Sequence, residues 1–97
     1  MPTYVTLAKW TDQGIQNAKE TVDRVEQARR VVEQLGGRLT TVLWTQGAFD
    51  LVSISEFPDD EAATAFLLGL GARGNGRTET LRAFTAEEMR RILQKVP

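Results

Sequence analysis

Apolar residues occupy both sides of the strand-like segments of this chain. In Asp50-Leu51-Val52-Ser53-Ile54-Ser55-Glu56-Phe57, Leu51 and Phe57 fall on one side, Val52 and Ile54 on the other. In the first segment Val5 and Leu7 oppose Tyr4, Ala8 and Trp10. Side chains alternate along a strand, so a sheet of such segments needs cover on both faces. A chain of 97 residues buries roughly 60–68% of its unfolded surface, which makes a real but modest core. One copy is too short to cover both faces, so the pattern predicts that a second copy covers one.

Residues 3–9 read as a strand rich in β-branched and aromatic types. A helix starts near Thr11, a good cap, with Asp12 against the positive helix end. Ile15, Ala18, Val22, Val25, Ala28, Val32 and Leu35 recur at spacings of three and four, which is one helix face. Gly14 weakens the first turn, and Thr21 offers a second cap, so two helical pieces with a kink are expected. Gly36-Gly37 ends the span, because glycine accepts the left-handed conformation found after helices. Arg38 to Thr45 is a second strand, Gln46-Gly47-Ala48 a turn, and Phe49 to Phe57 a third strand. So short a connection implies an antiparallel hairpin.

Pro58-Asp59-Asp60-Glu61 is a helix start. The helix Glu61 to Leu70 is apolar nearly all round, which predicts deep burial. A glycine-rich loop over residues 71–76 leads to a fourth strand, Arg77 to Phe84. Thr85-Ala86-Glu87-Glu88 is a capping box. The last helix carries Met89, Ile92, Leu93 and Val96 on one side.

The order βαββαβ plus a terminal helix predicts an α+β, ferredoxin-like fold in one domain, residues 1–97. Right-handed crossovers place both main helices on one sheet face. The other, bare face is assigned Tyr4, Ala8 and Trp10, with either Leu43 or Trp44 from the second strand according to register. Two such sheets packed face to face would bury an exposed patch rare on monomers. The alternative is that the terminal helix folds over it.

Composition narrows the chemistry. Apolar residues make up 41% and charged ones 26%, with a net charge of −1. No cationic surplus supports nucleic-acid binding. The chain has no cysteine and no histidine. Disulfides, thiol nucleophiles, cysteine-ligated zinc and histidine triads are therefore excluded. Proton transfer falls to Asp, Glu, Tyr or Lys. No cofactor or metal is called for. No apolar run approaches the ~20 residues that span a bilayer, and the start Met1-Pro2-Thr3-Tyr4 lacks signal-peptide character. No membrane partner is expected, and the default location is the cytoplasm.

Two stretches carry a family likeness. One is Gly47-Ala48-Phe49-Asp50-Leu51-Val52 followed by Pro58-Asp59-Asp60-Glu61-Ala62-Ala63; the other is Gly74-Asn75 followed by Arg77-Thr78-Glu79-Thr80-Leu81-Arg82-Ala83-Phe84. With the opening Thr3-Tyr4-Val5 and Gly36-Gly37, they resemble the GYD family over nearly the whole chain. That family is named for a glycine–tyrosine–aspartate signature. Phe49 departs from it, so no role of a phenolic hydroxyl carries over. The resemblance implies a dimeric α+β barrel and brings no established activity.

Asp50 reads either as a carboxylate at a pocket mouth, with proton affinity raised by poor solvation, or as a turn residue binding backbone N–H groups. Arg73, Arg77 and Arg82 beside the glycine-rich loop suggest an anion site, or surface charge paired with Glu79 or a neighbouring subunit. The loop is neither a P-loop nor a dinucleotide fingerprint. Tyr4, Trp10 and Trp44 suit an apolar pocket or plain packing. Asp59, Asp60 and Glu61 have the oxygen ligands of a magnesium site, but their place before a helix accounts for them without metal.

The functional expectation is a homodimer or larger homo-oligomer whose barrel cavity binds a small, partly apolar molecule. Its candidate ligand residues are Tyr4, Thr6, Trp10, Trp44, Asp50, Arg77 and Arg82. The alternatives are a cofactor-free oxygenase or isomerase using Asp50, and a ligand-free assembly or regulatory module.

Overall fold

A computed structural model describes residues 1–97. The elements are β1 (Thr3–Trp10), α1 (Asp12–Gln16), a 3-10 turn (Ala18–Glu20), α2 (Thr21–Gln34), β2 (Arg38–Trp44), β3 (Leu51–Glu56), α3 (Asp60–Arg73), β4 (Gly76–Ala83) and α4 (Ala86–Leu93). The strands form one antiparallel sheet in the order β2-β3-β1-β4. This is the expected α+β, ferredoxin-like arrangement. No helix is long and apolar enough to cross a membrane.

The first helical span is broken as expected, but by a 3-10 turn rather than by a cap at Thr21. Thr21 instead accepts a hydrogen bond from Trp44 Nε1 at 3.0 Å. Asp59 caps α3, its side chain accepting from the Ala62 N–H. That helix runs through Gly69 and Gly71 and stops only at Gly74, whose φ of +82° is the left-handed cap. The predicted loop thus shrinks to a tight turn. The expected capping box at Thr85 and Glu88 is present. It holds the Glu88 carboxyl below its usual range, chiefly through the Thr85 backbone N–H.

Both helix layers lie on the side of β1 that carries Tyr4, Thr6, Ala8 and Trp10. The core joins Tyr4, Leu39 and Phe57 to Ala28 and Val32 of α2 and to Ala63 and Phe66 of α3. Phe57 lies 5.9 Å edge-on from Tyr4 and 5.6 Å from Phe66, ring centre to ring centre. The sheet face assignment made from sequence is therefore reversed. Tyr4, Ala8 and Trp10 face the helices, while the open face carries Val5, Leu7, Val52 and Ile54. Val5 lies opposite Ile54 and Leu81, and Leu7 opposite Val52, which in turn meets Leu43. The reversal arises because both sides are apolar, so alternation alone does not say which one the helices take.

A bulge between Leu39 and Thr41 settles the second strand. Leu39 is buried towards the helices. The extra residue shifts the alternation, so Leu43 emerges on the open face and Trp44 on the helix side.

Two further expectations fail. The outer side of α3 is uncovered, with Leu68 70% exposed. Its apolar residues exceed what a four-stranded sheet can bury along one helix stripe. On the first helical span, Ile15 and Val22 are exposed: Ile15 lies in α1, before the 3-10 turn, and Val22 falls to the side of the stripe formed by Val25, Ala28 and Val32 in α2. Finally, α4 buries none of its residues and does not blanket the open sheet face.

Candidate ligand cavity

The helices leave the centre of the sheet partly free. α2 packs mainly over β2 and α3 over β4, so a gap opens above β3 and β1. It is a cavity of about 180 Å³. Small residues form its floor: Thr6 and Ala8 of β1, Ser53 of β3 and Thr78 of β4. Larger side chains there would fill the gap, so the volume follows directly from the sequence of the central strands. Phe66 and Leu70 of α3 and Val25 of α2 make apolar walls. The Thr6 hydroxyl, almost wholly buried, lies 3.3 Å from that of Thr80.

One end of the cavity is built by a clasp between the β1–α1 turn and the α3–β4 turn. The Thr11 N–H donates to Asn75 O at 3.2 Å, and its hydroxyl donates to Gly74 O. Gln13 Nε2 donates to Arg73 O and Asn75 Oδ1, both at 3.1 Å. Gly14 makes the approach feasible, since a Cβ there would lie 1.9 Å from Asn75 O. This is the structural reason for a glycine in the first turn of α1.

Two arginines line the cavity, Arg24 and Arg73, and no acidic residue does. Arg24 donates to Asn17 O at 2.6 Å and to Gly14 O at 3.5 Å. Its guanidinium is thereby held against the clasp end.

Of the residues proposed from sequence, Thr6 and Trp10 lie in this cavity. It is the space between sheet and helices, not a space between two sheets. Tyr4 points beside it, donating its hydroxyl to Asp60. Burial pushes the Tyr4 pKa up to about 12; Asp60 adds to the rise and Arg82 opposes it. Trp44 stands at the exposed edge, bonded to Thr21. Asp50 accepts the Trp10 N–H at 2.8 Å, and its own N–H donates to Ala8 O at 2.8 Å. It accepts a backbone N–H, the kind of bond the turn reading describes, but from Trp10 of β1, and so ties the β2–β3 connection to β1 rather than closing the hairpin itself. Arg77 is exposed at the register position opposite Lys9. Arg82 covers the rings of Phe84 at 4.5 Å and Tyr4 at 5.7 Å. Asp59 and Asp60, as cap and as partner of Tyr4, serve packing roles.

Sequence reading misses Arg24, Ser53 and Thr78 as lining residues. Arg24 has one available signal: it stands four residues before Ala28, hence on the sheet-facing side of α2. Arg73 is singled out in the sequence with Arg77 and Arg82 as an anion candidate beside the glycine-rich loop; of the three, it alone lines the cavity.

The chain is thus a small α+β protein with a ferredoxin-like sheet, an open apolar sheet face and a sheet–helix cavity. It belongs to the GYD domain family, which matches residues 4–93. A relative from Thermus thermophilus, named "Glutamine synthetase and cystathionine beta-lyase binding protein", is 27% identical over 90 residues, or 92% of this chain and 95% of that one. The crystal structure of TTHA0845, also from Thermus thermophilus, superposes with a TM-score of 0.55 at 26% identity, covering 89% of this chain and 96% of that one.

Proposed function

We propose that this chain is a homo-oligomeric binding protein rather than an enzyme. Copies pair through the open sheet face, and each holds a small, partly apolar molecule in its sheet–helix cavity. The observation that carries the pairing is the apolar surface of Val5, Leu7, Leu43, Val52, Ile54 and Leu81. Leu43 and Leu81 are 59% and 52% exposed in the isolated subunit, and such contiguous patches mark interaction surfaces. A second copy suits it because each sheet brings the same flat apolar surface, and two-fold pairing is self-complementary.

Binding is favoured over turnover by the cavity lining. It holds no Asp, Glu, Lys or Tyr to move a proton, and Asp50 is committed to the Trp10 backbone. The name of the Thermus relative supports protein partners as well. The exposed apolar side of α4, with Met89 and Leu93, and Val96 just beyond its end, gives a partner enzyme a second surface.

Light scattering at several concentrations tests the pairing. The natural chain should be at least dimeric. Leu43→Glu with Leu81→Glu should yield a folded monomer, since both side chains are exposed in a single subunit. A monomeric natural chain would refute the assembly.

A further inference from the structure

We propose that the sheet–helix cavity selects a small organic anion, its acid group held by Arg24 and Arg73 and its apolar body over Ala8, Leu51 and Phe66. This rests on the reading that the cavity holds a small molecule, and adds the charge and shape of that molecule.

Charge comes first. Both charged residues lining the cavity are arginines, and neither has an acidic partner. The ion pairs of the subunit are Arg29 with Glu26 and Arg38 with Glu56, both elsewhere. Two cations therefore border a largely apolar space, uncompensated by any carboxylate on its walls. Low-dielectric walls strengthen attraction for an anion and oppose a cation.

Geometry comes second. Arg24 is a partly buried guanidinium fixed by two backbone carbonyls, Asn17 O and Gly14 O. Those bonds occupy part of its donor fork and orient the remainder. The backbone of Arg73 is at the same end, its carbonyl tied to Gln13, the neighbour of Gly14, and the residue lines the cavity from there. A planar fork with fixed orientation suits a carboxylate better than a spherical ion. The hydroxyls of Thr6, Ser53 and Thr78 on the floor are neutral groups that donate to an oxygen without adding charge.

The rest of the lining excludes a bare inorganic ion. Ala8, Leu51, Phe66 and Leu70 would meet nothing if phosphate alone filled the arginine end. An apolar body removes those walls from water.

The test uses calorimetric titration of the full chain with benzoate and hexanoate, their neutral counterparts benzamide and hexanamide, and inorganic phosphate. At least one acid should bind, and its amide should bind about ten- to hundredfold more weakly, as expected for loss of a charged hydrogen bond. Arg73→Met, at an exposed position that tolerates change, should weaken the acid by about tenfold or more. Arg24→Met should do the same, and Arg30→Met on the outer side of α2 should not. Amides binding as tightly as acids, or acids indifferent to Arg73→Met, would overturn the anion assignment and leave the cavity reading standing. Phosphate binding without either organic acid would overturn the apolar body. No binding by any organic probe, charged or neutral, would overturn both.

Discussion

Tyr4 donates its hydroxyl to the Asp60 carboxylate, joining the first strand to the first turn of α3 across 56 positions of sequence. The same ring lies edge-on to Phe57, which in turn meets Phe66. Phe66 is a wall of the cavity. Thus the contact that ties the capped first turn of α3 to β1 sits in the same aromatic cluster as one wall of the candidate ligand site, although Tyr4 itself does not line it.

Tyr4→Phe keeps the ring and removes the bond. The expected loss is about 1 kcal/mol at neutral pH, because Asp60 is exposed and regains water. The pH dependence is more specific. The folded pKa, about 12, stands above the ordinary value of 10.0, so the native state holds this proton more tightly than the unfolded chain. The associated stability is complete below pH 10 and disappears as pH rises towards 12. Urea unfolding of the natural chain should show this alkaline loss, and Tyr4→Phe should show less of it.

Gly14→Ala has a predicted sign opposite to the usual helix rule. Alanine normally favours a helix by roughly 0.5–1 kcal/mol over glycine. Here its Cβ would lie 1.9 Å from the Asn75 carbonyl oxygen. The clasp must open, and a loss of about 1–3 kcal/mol is expected. A thermal melt measures it; a raised melting temperature would show that the two turns do not touch.

Asp50→Ala should act on stability. The carboxylate accepts the Trp10 N–H, and removing a charged acceptor from a half-buried donor costs about 1.5–3 kcal/mol. Denaturant midpoints provide the measurement. An unchanged midpoint would contradict the turn role and return Asp50 to the catalytic candidates.

Thr85→Ala separates α4 from the body of the fold. Its hydroxyl accepts the Glu88 N–H at 3.2 Å, and the Glu88 carboxylate accepts the Thr85 N–H at 3.0 Å. Loss of a cap costs a helix about 0.5–2 kcal/mol. Because α4 buries none of its residues, helicity by circular dichroism should fall while the main melting transition stays put. A matching fall in the main transition would show that α4 packs on the subunit.

Much of this arrangement is legible in the sequence, for local reasons. Helix periodicity from Val25 to Val32, the helix start at Pro58 to Glu61, the capping box at Thr85, and glycine after the helices are short-range patterns. They mark element order and hence the fold class. The cavity is less legible. Thr6 and Trp10 are visible as candidates, but Arg24 looks like one charge among many on a helix. Its place depends on the 3-10 turn that rotates α2 against the β1–α1 turn, and on Gly14 lying under Asn75.

The succession of strands and helices is written in local patterns, because spacing, capping and glycine placement act within a few residues. So is the apolar character of both sheet faces. Which face the helices take emerges only on folding, because Val5 and Leu7 are as hydrophobic as Tyr4 and Trp10 and alternation is symmetric between sides. The same holds for the bulge before Thr41 and the placing of Arg24 and Arg73 on one cavity. They arise from pairings between distant segments, whose geometry no local pattern encodes.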